Sequence, residues 1–173
     1  YTLASQALSG TTHAKVNLDH APTSMTLSAS SASVMSLWIT DTTGNDIEDT
    51  AINAHETEAA SINSVTLNVD GTVPTNNLVL NERIYKSDGT FFGVATSFAD
   101  ADPDTITFSG GLVNAITNND DLYRGKRHYI FRTLTIPAGS TLILDNDEVN
   151  FPLYKYDMFA QLASGAVSLI ARY

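Results

Sequence analysis

The stretch HYIFRTLTIPAGSTLILDNDEVNFPLYKYDMFAQLASGAVSLIARY, residues 128–173, decides the fold. Residues 128–136 alternate apolar and polar, and Pro137, Ala138, Gly139 and Ser140 turn the chain. Residues 141–144 are a short apolar run, 154–163 alternate again, and 166–172 close just before Tyr173. Period-two patterning puts alternate side chains on opposite faces of a sheet. Four such segments with little but turns between them predict a β-sandwich meander. No catalytic motif interrupts it.

Upstream, residues 1–8 and 13–19 alternate loosely around the turn cluster Ser9, Gly10, Thr11 and Thr12, which predicts an N-terminal β-hairpin. Residues 24–28 and 33–40 read as strands, the second with Met35, Leu37 and Ile39 on one face and Val34, Ser36 and Trp38 on the other. Residues 45–60 carry no β pattern and predict an exposed loop with one helical turn. From Ile62 the punctuation changes. Five short strands follow at 64–69, 78–85, 90–98, 104–108 and 112–121, with Asp88-Gly89 as a hairpin turn and Gly110-Gly111 as a break. Many short strands with glycine at the corners predict a small closed barrel. The expected architecture is therefore all-β. A jelly-roll-like β-sandwich from residues 1–61 and 128–173 is interrupted by a β-barrel-like subdomain at 62–127. One continuous sandwich with long loops is the alternative.

Hydrophobic residues make up 43% of the 173, enough for a core, while the charged fraction of 16% falls below the roughly 25% of an average domain. A net charge of −10 argues against a general nucleic-acid role. There is no cysteine, which excludes disulfides and thiolate metal sites. No apolar run reaches the length of a membrane-spanning helix.

The chemistry-bearing residues form no recognisable machinery. His13, His20, His55 and His128 are never spaced for a helical metal pair, and Ala59 stands where a zincin-like His55-Glu56 start needs its second histidine. Asp100, Asp102 and Asp104 have calcium-loop spacing, but Thr105 and Gly111 occupy the positions that need Gly and Glu. An acidic turn is the plainer reading, as it is for Asp145, Asn146, Asp147 and Glu148. Neither a nucleophile elbow nor a phosphate-cradling loop is present, so no enzyme, cofactor or metal is expected. Trp38, Tyr123, Tyr129, Phe131, Tyr154, Tyr156 and Phe159 suggest core more than a sugar platform, with Tyr129 and Phe131 as candidates for a second buried face. Arg124, Lys126, Arg127 and His128 form the one basic cluster, either a solvated joint or a docking contact.

The cassette Arg132-Thr133-Leu134-Thr135-Ile136-Pro137-Ala138-Gly139-Ser140-Thr141-Leu142-Ile143-Leu144-Asp145 resembles one that recurs in small structural proteins of tailed bacteriophages. The later segments Tyr154-Lys155-Tyr156-Asp157 and Val167-Ser168-Leu169-Ile170 continue that resemblance, and Arg83-Ile84-Tyr85-Lys86-Ser87-Asp88-Gly89-Thr90 is similar to the small barrels of phage head and tail proteins. The resemblance implies a virion component. A capsid cement or decoration protein on the outer shell is the first expectation, bound to the major capsid protein and to neighbouring copies, with a trimer suggested by shell geometry. A neck, tail, fibre or receptor-binding protein is the second, and a carbohydrate-binding module the third. Tyr1, Leu3, Arg124, Lys126 and Arg127 are the expected interface residues.

Overall fold

The computed structural model describes residues 3–10, 13–52, 57–69, 80–99 and 103–173. Their strands are β1 (Leu3–Ser9), β2 (His13–Lys15), β3 (Ser24–Ala29), β4 (Ser33–Asp41), β5 (Thr66–Val69), β6 (Arg83–Tyr85), β7 (Phe91–Ala99), β8 (Asp104–Phe108), β9 (Tyr123–Arg124), β10 (Arg127–Ile136), β11 (Thr141–Leu144), β12 (Tyr156–Ser164) and β13 (Ala166–Arg172). The protein is all-β, with the single-turn helix α1 (Asn146–Val149) among the described residues. It divides into two units, Tyr1–Thr40 with Arg127–Tyr173, and Asp41–Lys126.

The first unit is two four-stranded sheets, ordered β1-β13-β3-β11 and β2-β12-β4-β10. Both donate side chains to one core: Leu8, Met25, Leu27, Val167 and Leu169 from the first, Met35, Leu37, Ile136, Met158 and Leu162 from the second. Interior alternation on both sheets supplies that core, and each fully buried Leu or Met contributes about 1.5–3 kcal/mol. Apart from β4 and β10, strands adjacent in sequence lie in opposite sheets, which is the jelly-roll arrangement.

That topology corrects two expectations. Residues 128–173 are not a meander, since β10, β11, β12 and β13 alternate between sheets. The N-terminal segment is not a hairpin either: β1 pairs with β13 and β2 with β12. Alternation reports which face of a strand is buried and carries no information about its neighbour. A third correction concerns β10. Tyr129 lies opposite Trp38 on the outer face, whereas Phe131 lies opposite core-facing Leu37. Register shifts at Tyr129/Phe131 and Phe131/Leu134 mark bulges, and one extra residue flips every side chain beyond it. Thr133, at φ 53°, donates its N–H to Ser36 Oγ at 2.9 Å within the second irregularity.

The second unit is a five-stranded antiparallel sheet, β5-β8-β7-β6-β9, around Leu67, Ile84, Phe92, Ile106, Phe108 and Leu122. Its edges are joined by single bridges. Thr57 bridges Val69 in β5, and Ala60 bridges Ile116, which leads on to β9. On the other side Ile47 bridges Gly125, and Ile52 donates to Leu122 O at 2.7 Å. Residues 45–52 and 57–60, expected as a loop, therefore belong to this unit, which begins at Asp41 and not at Ile62. Isolated bridges need only scattered backbone pairing, so the segment lacks the alternation that a full strand shows.

Asp41 fixes the point where the chain enters the second unit. Its buried carboxylate accepts from Thr43 Oγ1 at 2.7 Å and from the backbone N–H groups of Asn45 at 3.0 Å and Asp46 at 3.1 Å. The turn so formed brings Gly44 against Gly89, and a Cβ on either would strike the other's carbonyl. Both have φ near +80°, so neither position tolerates a side chain. Asp120 does similar work, accepting from Thr117 N and Oγ1 at 2.9 Å and from Lys86 Nζ at 3.0 Å.

Burial pushes both carboxyls upward, but these hydrogen bonds, joined at Asp120 by the Lys86 charge, outweigh it and hold Asp41 and Asp120 below the usual aspartate range. A depressed folded value stabilises the protein above the unfolded value of about 3.9 and loses that contribution as pH falls through the folded one. Stability is thus expected to drop below about pH 4. Asp41→Ala leaves two backbone donors without their acceptor, should cost about 1–3 kcal/mol at neutral pH, and should flatten the acid limb. Urea titrations of both proteins across that range check it.

Candidate interaction surface

The outer face of β1-β13-β3-β11 is set by the residues that alternate with its core-facing ones. Across the strands, Leu3 lines up with Arg172 and Ser24; Ser5 with Ile170, Thr26 and Ile143; Ala7 with Ser168, Ser28 and Thr141; and Ser9 with Ala166. Leu3 is 60% exposed, Ile143 67% and Ile170 38%. The four strands contain no acid and a single base, Arg172. A sheet face bearing exposed aliphatics and no carboxylate is unusual on a chain of net charge −10. Depletion of charge is what distinguishes the buried centre of an interface from ordinary surface.

Charge is divided between the two units. Fourteen of the nineteen acids and four of the nine bases lie in Asp41–Lys126, giving that unit the whole −10. The jelly roll holds five of each and is neutral. Three of its five acids stand in the Asp145 turn, where two of them, Asp145 and Glu148, cap a helix. Asp145 caps α1 by accepting from Asp147 N at 2.9 Å, and Glu148 reaches back to Asp145 N at 2.8 Å. This capping box satisfies two backbone donors at the start of the turn.

The outer face of the second sheet is built differently. Trp38 and Phe159 are fully buried there, stacked 6.1 Å apart, with the His13 ring edge-on to Trp38 at 5.7 Å and Tyr129 tilted against it at 5.7 Å. The Arg127 guanidinium covers the indole at 4.8 Å, and Arg132 covers Tyr129 at 5.0 Å. The indole quadrupole favours a cation over its face. Arg127 thus completes an aromatic layer.

Of the expected basic cluster, Arg124, in β9, pairs with Glu48 at 3.0 Å, Arg127 covers the Trp38 ring, and Lys126 and His128 are exposed. Leu3 lies on the charge-poor face, and Tyr1 lies outside the described residues. Of the calcium-like trio, Asp104 is buried at the start of β8, while Asp100 and Asp102 are outside the described residues, as is His55. No group of three or more metal-capable side chains occurs among the described residues. Nor is any helix among them long and apolar enough to cross a membrane.

What sequence reading missed is the face itself. Its signal was present in residues 3–9, 24–29 and 166–172, whose outward positions, Arg172 apart, are Ser, Thr, Ala, Leu and Ile. Only the order β1-β13-β3-β11 shows that these positions form one surface. No family model, curated protein or solved structure matches the chain.

Trp38 is the sole tryptophan, so selectively excited tryptophan fluorescence reports on this layer alone. Arg127→Ala should red-shift the emission and lower stability by about 1–2 kcal/mol, as loss of a desolvated cation–aromatic contact does. Chemical denaturation followed by fluorescence checks both effects.

Proposed function

We propose that this chain is a non-enzymatic structural protein of a virion, a cement or decoration protein that binds the assembled head shell from outside. The observation that supports the reading best is the division of labour just described: a neutral jelly roll with an exposed, charge-poor face, joined to an inserted unit that carries the full −10. The neutral unit offers surface that can be desolvated at low cost, since no carboxylate on that face must lose water. The acidic unit keeps the particle surface soluble and repels non-specific partners. The jelly-roll architecture occurs in viral capsid proteins and also in lectins and cupins, so the fold agrees with the reading without selecting it. The phage-like cassette of residues 132–145 adds to it as a resemblance. In this role the partners are the major capsid protein and neighbouring copies, with three copies grouped at local three-fold positions.

A cement stores its effect in the assembled state, because a ligand that binds only one state stabilises that state by mass action. Particles lacking the protein should assemble and then release their genome at lower temperature than complete ones. Lys126→Glu should slow rebinding to stripped particles, more at low salt than at high, since screening weakens an exposed charge. Heat-release assays and binding kinetics on stripped particles measure both. Stripped particles that are equally heat-resistant but fail to adsorb to cells would replace this reading with a receptor-binding one.

A further inference from the structure

The charge-poor face has relief as well as neutrality. Along the strands it divides into two halves. One carries the aliphatic knobs Leu3, Ile170 and Ile143. The other carries Ala7, Ser9, Ser28, Thr141 and Ser168, with Gly139 and Ser140 beside them, around a hollow of about 450 Å³. The two central rows are adjacent in register, with Ile170 and Ile143 in one and Ser168 and Thr141 in the next.

We propose that this face packs against the same face of a second copy of the chain, about a two-fold axis that lies in the interface and crosses the strands between those two rows. A rotation about that axis exchanges the rows. Ile170 of each copy then stands over Ser168 of the other, Ile143 over Thr141, and Leu3 over Ser9. Knobs enter hollows twice over, which is the self-complementarity a two-fold contact requires.

Charge favours the same occupant. A copy of this chain is repelled by its mate wherever the −10 units meet, whereas the neutral jelly roll can meet its own copy without opposing carboxylates. The crossing axis also carries Arg172 to the opposite end of the face, over Ala166 of the second copy, so the two guanidinium groups stay apart. The area sets the strength. The four strands hold 24 residues, each covering about 4.8 Å by 3.3 Å, which gives a footprint of about 380 Å². Two such faces reach about 760 Å² before side-chain relief is added, below the roughly 1,000 Å² of a stable specific interface and in the range of weak contacts. The contact is therefore weak in free solution and effective where copies are held side by side. It adds a contact between copies of neighbouring three-fold groups in the virion reading and rests on that reading only for its setting.

Sedimentation equilibrium of the intact chain over a wide concentration range tests it. The wild type should pass from monomer to dimer as concentration rises. Ile170→Lys and Ser168→Lys, both at exposed positions, should each weaken association by at least about tenfold, since each places two unpaired charges in the contact. Unchanged circular dichroism and melting establish that both variants fold. The pair Ile170→Lys with Ser168→Asp should restore the dimer, because position 170 of one copy meets position 168 of the other. A wild type that stays monomeric overturns the proposal, as does a dimer that survives the single lysines or a double variant that stays monomeric. A monomer whose Ile170→Lys variant no longer occupies the shell assigns the face to the shell protein instead. Self-association is read on isolated protein and heat release on particles, so either result can fail without the other.

Discussion

The ladder between β4 and β10 is the contact on which the two-unit design depends. In this jelly roll every other pair of sequence neighbours is split between sheets, so most connections must cross the sandwich. Between β4 and β10 the chain could return by a short turn, and there Thr40 stands directly opposite Arg127. Directly opposed residues of an antiparallel pair have Cα atoms about 4.5–5.5 Å apart. A unit whose own two ends lie that close can be spliced in without stretching either strand, and the sandwich retains its register on both sides of the splice. Asp41 and Lys126 then open and close the insertion. Asp41 anchors its turn through three donors, and Lys126 donates its N–H to Asp46 O at 2.9 Å.

With the insertion isolated at a hairpin, charge could be assigned by unit. The inserted unit manages its surplus of acid locally. Glu48 pairs with Arg124, Asp120 pairs with Lys86, and Asp41 is satisfied by backbone donors. The jelly roll is left neutral, with the carboxylates of Asp145 and Glu148 engaged in a helix cap and that of Asp157 in an ion pair with Lys15 at 2.9 Å. A sheet that must be dry on both faces cannot carry acids on either. The strands β1, β3, β11 and β13 meet that condition; the opposite sheet instead covers its outer face with the Trp38 layer.

Local composition made the all-β class and most strand positions readable, because Met35, Leu37, Leu27 and Leu169 recur at period two on buried faces. Strand neighbours were not readable, since the partner of β1 lies at the far end of the sequence and no local pattern encodes so distant a pairing. The start of the insertion was misplaced for a related reason: residues 45–60 contribute isolated bridges, and a single bridge leaves no periodic trace. Bulges in β10 hid the divergence of Tyr129 and Phe131. The interaction face was half legible. Its neutrality was visible strand by strand, but its continuity depended on topology.

The pairing of β1 with β13 has a consequence for synthesis. Leu3 is paired with Arg172, so β1 waits for β13, which is made well over a hundred residues later and lies between β1 and β3 in the middle of its sheet. Until β13 emerges, β1 has no partner in that sheet and the sandwich core stays open. The inserted unit, assembled from a continuous stretch of chain, has no such dependence and can close first. An uncharged strand left waiting is an exposed edge with affinity for other strands. The acidic unit, already folded and strongly charged, would then hold nascent chains apart at the stage when their neutral strands are most adhesive.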